Sequence, residues 1–284
     1  MPENTAPHPA LFIVATPIGN LEDITHRAVR VLREVDLIAA EDTRHTQRLL
    51  RHYSIGTRVT SYHEHNEMEK TGRLLEELAN GRTIALVTDA GTPCISDPGY
   101  RLVRAAREAG FAVVPIPGAC AALAALSASG LPTDAFSFHG FFPRKRTQAH
   151  DLLIRLRDRP ETHVFYESPR RAADTIALMG ELLPGAEIAV ARELTKIHEE
   201  FVHGQASALL ARLEDFPDRG EYVILLTPAE PETPALSDAE LREAVEMVMT
   251  ESGVSRRDAI RAVAEHFGIP RNTVYAATTG DSSQ

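Results

Sequence analysis

Short apolar runs recur along the chain, and most lead into a turn-rich polar stretch and then a helix-period pattern. The clearest case is Ile84 to Val87, a continuous apolar run of the kind that forms a buried strand. From Thr88 to Gly99 the turn formers crowd together: Asp89, Gly91, Pro93, Ser96, Asp97, Pro98 and Gly99. Leu102, Val103 and Ala106 then share one face of a helix, with Asp97 placed to cap it and Pro98 at its first position. Strand, long irregular loop and helix follow in that order. In an open α/β sheet, the loop beyond a strand's carboxyl end is where ligands bind. Asp89 at the strand tip can accept hydrogen bonds from a ligand's hydroxyls or amine, and Gly91 lets the backbone approach closely.

The same alternation predicts strands at Leu11–Ala15, Asp36–Ala40, Val59–Tyr62 and Ala112–Ile116. Thr25 caps the helix of Ala28, Val29, Val31 and Leu32, and Asn80-Gly81 ends a helix that starts near Met68. Ala121 to Ser129 is a small-residue helix, which suits close packing or leaves room for a ligand. The alternation breaks at Leu131–Asp134, where a domain boundary is expected. A second set of strands follows at Phe136–Phe142, Thr162–Tyr166, Glu187–Ala191, Glu199–His203 and Tyr222–Leu226. The proline-rich acidic stretch Pro228–Pro234 reads as a linker to three helical segments, 237–250, 255–267 and 271–277. The expected division is a disordered lead (1–10), an N-terminal α/β lobe (11–132), a second α/β lobe (133–228), a linker (229–236) and a helical C-terminal domain (237–284). Two short helices across a tight joint resemble a helix-turn-helix as much as a plain packing module.

Composition narrows the classes. The chain has 284 residues, 43% hydrophobic and 25% charged, as soluble globular proteins have. There is no apolar run of about 18 residues, so no membrane span is expected. Cys94 and Cys120 form no C-x-x-C pair, which points to a reducing cytoplasm and no zinc site. A net charge of −10 argues against non-specific nucleic-acid binding and a DNA partner, while leaving room for a local basic patch.

Charged side chains gather at predicted strand ends. Glu41, Asp42, Arg44 and His45 follow the second strand, as a helix cap, a site, or both. His63-Glu64-His65 has two metal-ligand types, but its spacing fixes no geometry and a polar cleft rim is the better reading. Arg144-Lys145-Arg146 forms a basic cluster, either a solvated loop or a phosphate contact. Glu167 with Arg170 and Arg171, and Glu193 with Lys196, end two further strands. The turn at Pro17–Gly19 lacks the G-x-G-x-x-G dinucleotide fingerprint.

Six segments together carry a specific resemblance: Phe12–Asn20, Ala39–Thr43, Asp89–Gly99, Pro115–Ala121, Phe165–Arg170 and Ala191–Lys196. In these the chain is similar to the bacterial 16S rRNA (cytidine-2′-O-)methyltransferases of the tetrapyrrole methylase superfamily, from about Leu11 to Thr227. The resemblance implies a two-lobed α/β class III methyltransferase fold with a small C-terminal helical domain, usually as a homodimer. It implies S-adenosylmethionine (SAM) in the cleft between the lobes and the small ribosomal subunit or its 16S rRNA as partner. SAM contacts are then expected from Ile18 and Gly19, from Asp89, Ala90, Gly91 and Thr92, and from Cys120 and Ala121, with Tyr166 added by the second lobe. A ribose hydroxyl is a poor nucleophile, so a base or a charge-stabilising cation helps. The candidates are Lys196 and Glu193 as a pair, then Glu167 and Glu41. Arg144, Lys145, Arg146, Arg170 and Arg171 are the expected RNA phosphate contacts. No metal is required. The rival readings are a cobalamin- or sirohaem-precursor methylase and a non-catalytic ribosome-binding factor.

Overall fold

The structure, a computed structural model, describes residues 9–213, 220–229 and 236–279. The expected lead and the linker lie largely outside the described residues. Contacts divide the chain into two units, Met1–Ala229 and Glu230–Gln284.

The first half of the larger unit alternates strand and helix: β1 (Ala10–Val14), α1 (His26–Glu34), β2 (Leu37–Ala40), α2 (Thr43–His52), β3 (Val59–Ser61), α3 (Glu67–Ala79), β4 (Ile84–Val87), α4 (Tyr100–Glu108), β5 (Ala112–Ile116) and α5 (Ala121–Ala128). The strands form a parallel sheet in the order β3-β2-β4-β1-β5. Helices cover both faces, which is why the strands read as unbroken apolar runs. Successive side chains point to opposite faces. Phe12, Val14, Ile38 and Val87 pack with Ala28, Val31 and Leu32 of α1, while Leu11, Leu37, Ile84 and Leu86 pack with Leu78 of α3 and Leu102 of α4. The chain leaves β1 toward β2 on one side and leaves β4 toward β5 on the other. The carboxyl ends of β1 and β4 are therefore the topological switch point, where such sheets hold ligands.

The second half contributes β6 (Phe136–Phe141), α6 (Arg146–Leu156), β7 (Thr162–Glu167), α7 (Pro169–Leu182), β8 (Glu187–Arg192), β9 (Glu200–Gly204), α8 (Ala206–Leu213) and β10 (Tyr222–Thr227). Its sheet order is β6-β7-β10-β8-β9, parallel between β6 and β7 and antiparallel elsewhere. One face packs on Leu153, Ile176 and Leu209 of the three helices. The other face, through Val164, Ala189, Ala191, Val223 and Leu225, packs on Ala122, Ala125 and Leu126 of α5 and on Ile18. The expected break at Leu131–Asp134 separates two sheets, but α5, which precedes the break, packs on the second sheet.

The smaller unit has three helices, α9 (Asp238–Ser252), α10 (Arg256–Phe267) and α11 (Arg271–Thr279), around Leu241, Val245, Ile260, Val263 and Val274. A capping box starts α9: the Ser237 amide donates to Glu240 Oε2 at 2.8 Å and the Glu240 amide to Ser237 Oγ at 3.3 Å. Gly253 and Gly268 end α9 and α10 in the left-handed conformation, at φ 63° and 65°.

One local expectation fails. Asp97 does not cap α4, which begins at Tyr100 with Gly99 as its N-cap residue at φ 136° and no side-chain cap. A Cβ on Gly99 would fall 2.7 Å from both Cys94 Sγ and Leu86 Cδ2. The loop is folded tightly against the sheet there, and Asp97 meets Thr88 rather than the helix start.

Candidate active site

The loops after β1 and β4 are joined above the switch point. The Thr16 amide donates to Gly91 O at 2.9 Å, the Gly91 amide returns a bond to Thr16 O at 3.1 Å, and Thr16 Oγ1 donates to Thr88 O at 3.0 Å. Gly91 sits at φ 88°, which favours glycine. Thr92 Oγ1 donates to Ala119 O at 3.0 Å and so ties in the turn before α5.

These loops and the start of β10 enclose a cleft of about 350 Å³. Ile18, Asp89, Ala90, Gly91, Thr92, Cys120, Ala121 and Tyr166 line it, as do Glu41 and Glu167. Gly19 and Lys196 border an adjoining cavity of about 360 Å³, which shares Ile18, Thr88, Asp89, Ala90 and Glu221 with the cleft. Thr88, Ile95, Ser96, Asp97, Phe141 and Glu221 also line the cleft and were not singled out from the sequence as site residues. Asp97 was masked by its resemblance to a cap, and Glu221 by its place in a turn.

Carboxylates dominate the polar wall. Glu41 Oε2 accepts from Thr88 Oγ1 at 2.6 Å and from the Asp89 amide at 3.4 Å. Asp89 Oδ1 accepts from the Asp42 amide at 3.1 Å. Asp42 caps α2 by accepting from the Arg44 and His45 amides at 2.7 and 3.4 Å, which holds its pKa below the usual value. Burial raises the pKa of Asp89, and the Glu41 charge adds to it. Burial also pushes Asp97 up to about 6, with the Glu41, Asp89 and Glu221 carboxylates adding to it. Much of the remaining lining is apolar or aromatic. Burial raises the Tyr166 phenol, which therefore stays neutral, and its ring meets Phe138 edge-on at 5.0 Å.

The four candidates for acid–base or charge-stabilising work are placed differently. Glu41 is committed to Thr88 through one oxygen. Glu167 has a side chain only 1% exposed; its oxygens accept from the Ser168 amide at 2.7 Å and Thr175 Oγ1 at 2.9 Å, and Arg171 lies 3.1 Å away. Enclosed in this way, the Glu167 carboxylate organises the start of α7. Glu193 and Lys196 form an ion pair at 3.0 Å. Their turn is tightly held: Glu193 and Thr195 lie at φ 49° and 65°, and a Cβ on Gly19 would come 2.6 Å from Lys196 Cγ.

The basic residues border a separate cavity of about 400 Å³ that Arg144, Arg146 and Arg171 share with Asp174 and Glu181. Arg144, Lys145, Arg146 and Arg170 are exposed, with Arg146 3.5 Å from Glu181. Arg171 differs: its Nη2 donates to Pro143 O at 2.8 Å and Phe142 O at 3.3 Å beside Glu167, so it anchors the basic loop. At the rim of the first sheet, His63 Nε2 lies 3.0 Å from Asn66 Nδ2. Among the described residues no group of three or more His, Cys, Asp or Glu could hold a metal ion, and no helix is long and apolar enough to cross a membrane.

Residues 10–210 match the family described as Tetrapyrrole (Corrin/Porphyrin) Methylases. The chain is 45% identical over 269 residues to the ribosomal RNA small subunit methyltransferase I of Halalkalibacterium halodurans, covering 93% of each chain. It is 44% identical over 271 residues to the protein of that name in Escherichia coli O157:H7, again covering 93% of each. Among solved structures it resembles uroporphyrin-III-C-methyltransferase from Thermus thermophilus (TM-score 0.54, 19% identity, 77% of this chain and 94% of that one). It also resembles a diphthine synthase (TM-score 0.62, 16% identity, 77% and 90%). At such identities these two carry the fold alone. The chain belongs to the tetrapyrrole methylase family, among the ribosomal RNA small subunit methyltransferases I.

Proposed function

We propose that the protein transfers a methyl group from SAM to the ribose 2′-hydroxyl of a cytidine in the decoding region of 16S rRNA, acting as a homodimer. The observation that carries this reading is the switch-point cleft, whose chemistry fits SAM. Glu41, Asp89 and Glu221 form an acidic wall suited to a ligand bearing sulfonium and ammonium charges. Ile18, Ala121, Val223 and Tyr166 form an apolar wall suited to an adenine ring. Bound SAM supplies an electrophilic methyl group on a positively charged sulfur.

The chain's own residues position the reactants. Asp89 accepts from the ligand's hydroxyls or amine, and Gly91 and Thr92 line the cleft beside it. Ile18, Cys120 and Ala121 shape the apolar side, and Gly19 lets the 193–196 turn close over the adjoining cavity. Lys196, oriented by Glu193 at 3.0 Å, supplies a cation facing that cavity. Most of the rate comes from holding the acceptor oxygen, methyl carbon and sulfur in line. Arg144, Lys145, Arg146 and Arg170 meet RNA phosphates, while Glu167 and Arg171 hold their loop in place.

The test is methyl transfer from labelled SAM to small ribosomal subunits from cells lacking this protein, followed by identification of the nucleoside. Label on a cytidine 2′-oxygen is the expected result. SAM binding without label on subunits overturns the acceptor and sends the search to tetrapyrroles.

A further inference from the structure

We propose that Asp97 takes the proton from the acceptor hydroxyl, which reaches it through an open groove between α3 and α4. This rests on the methyl-transfer reading above and supplies the base that reading lacks.

The geometry starts from two cavities with one shared wall. Outside the cleft lies a groove of about 830 Å³, bordered by Glu67 and Met68 of α3 and by Tyr100, Arg101 and Arg104 of α4. Among the described residues, only Ser96 and Asp97 border both the groove and the cleft. A nucleotide lying in the groove therefore meets the cleft at these two residues. Tyr100 in the groove is 65% exposed and offers a ring for base stacking, while Arg101 and Arg104 are paired through Nε with Glu67 and Glu108 at 2.6 and 2.7 Å. Asp97 is also rigidly held. Cys94 and Ser96 lie at φ 72° and 64°, and Gly99 packs against the sheet beyond.

Four other carboxylates at the site already have partners. Glu41 accepts the Thr88 hydroxyl proton at 2.6 Å, Asp89 accepts the Asp42 amide at 3.1 Å, Glu167 is enclosed, and Glu193 is paired with Lys196. Asp97 also meets the Thr88 hydroxyl, which lowers its pKa, but burial outweighs that contact. Burial and the carboxylates of Glu41, Asp89 and Glu221 hold it at about 6, near the value that suits a base at neutral pH. The remaining groups facing it from this wall are neutral: the Cys94 thiol is pushed up to about 11 and the Tyr166 phenol is raised as well. On the groove side the charges are Glu64, Glu67, Glu108, Arg101 and Arg104.

The step balances. The hydroxyl oxygen forms a bond to the methyl carbon, the carbon–sulfur pair leaves on sulfur as a neutral thioether, and the hydroxyl proton passes to the Asp97 carboxylate.

The experiment compares wild type and Asp97→Asn in single-turnover labelling of small subunits from pH 5 to 8.5, with SAM affinity and subunit affinity measured in parallel. The expected wild-type rate rises with an apparent pKa near 6. D97N is expected to lose about 10²–10⁴-fold in rate together with that limb. Its SAM and subunit affinities should be unchanged, and Asp97→Glu should restore part of the rate. A D97N enzyme that keeps its rate or its acidic limb overturns the assignment, as does one whose SAM affinity falls with its rate. Should D97N fail to fold, a flat wild-type profile overturns it and a limb near 6 that moves to a new pKa in D97E supports it. A wild type that binds SAM but labels no subunit removes the functional reading and this assignment together.

Discussion

Thr16 and Gly91 exchange backbone hydrogen bonds at 2.9 and 3.1 Å, so the loops that leave the two central strands form one body. The Thr16 hydroxyl extends this to Thr88 O, fully buried at the cleft floor. Thr16→Val keeps the shape and removes that donor, leaving a buried carbonyl short of a partner. The expected cost is about 1–3 kcal/mol, read as a lower urea midpoint, together with weaker SAM binding. A variant of wild-type stability and affinity would show that the loops are held without it.

Gly19 is required by a close approach rather than by its φ. In Gly19→Ala the new methyl would lie 2.6–2.9 Å from Lys196 Cγ, Thr195 Oγ1 and Leu194 O, so the 193–196 turn must move. Overpacking of this kind costs about 1–3 kcal/mol. Since that turn carries Lys196, turnover should fall in G19A and in Lys196→Ala alike, with SAM still bound. Normal turnover in both would remove Lys196 from the chemistry.

The arginines separate into two kinds. Arg144→Ala and Arg146→Ala should each weaken subunit binding and reduce its salt dependence by about one unit of slope, leaving SAM affinity alone. Arg171→Ala should act on stability instead, because its Nη2 holds two loop carbonyls beside the buried Glu167 carboxylate. Thermal melting and a salt titration of subunit affinity, run on all three, distinguish the two behaviours.

His139 and His163 give the second sheet an acid sensitivity. Their ring nitrogens lie 3.1 Å apart and His139 stacks on Phe165 at 4.8 Å. Burial lowers both, with His139 brought from 6.5 to about 4. The unfolded chain thus binds the extra proton first, and stability falls as pH drops from 6.5 toward 4. Asp97, raised from 3.8 to about 6, has the opposite slope, losing its contribution as pH rises through that window. The measurement is therefore the difference in urea midpoint between wild type and His139→Phe. That difference should shift in favour of the variant on acidification, and a constant difference would refute the account.

Strands such as Ile84–Val87 were legible because both faces of their sheet are covered, so burial is written at every position. The order of the second sheet was not: β10 pairs with β7 and β8 from across the α8 segment, a choice that local pattern does not encode. Helix α8 itself left no distinct expectation. At the site, Asp89 and Gly91 stood out because a carboxylate and a glycine at a strand tip have few other uses. Asp97 looked like a helix cap because Asp-Pro-Gly satisfies the capping rule; only the packing of Gly99 against Cys94 and Leu86 decides otherwise. The expectation for Arg171 was an RNA phosphate contact, because nothing in its neighbours in sequence announces the carbonyls of Phe142 and Pro143.

Helix α5 belongs to both halves of the larger unit, with Ala122, Ala125 and Leu126 facing Val164, Ala189, Val223 and Leu225 of the second sheet. A polypeptide beginning at residue 133 would present that sheet face bare, and one ending at 132 would leave α5 without its cover. The two halves are therefore inseparable as expression fragments, each expected to aggregate alone and to be rescued only by co-expression with the other.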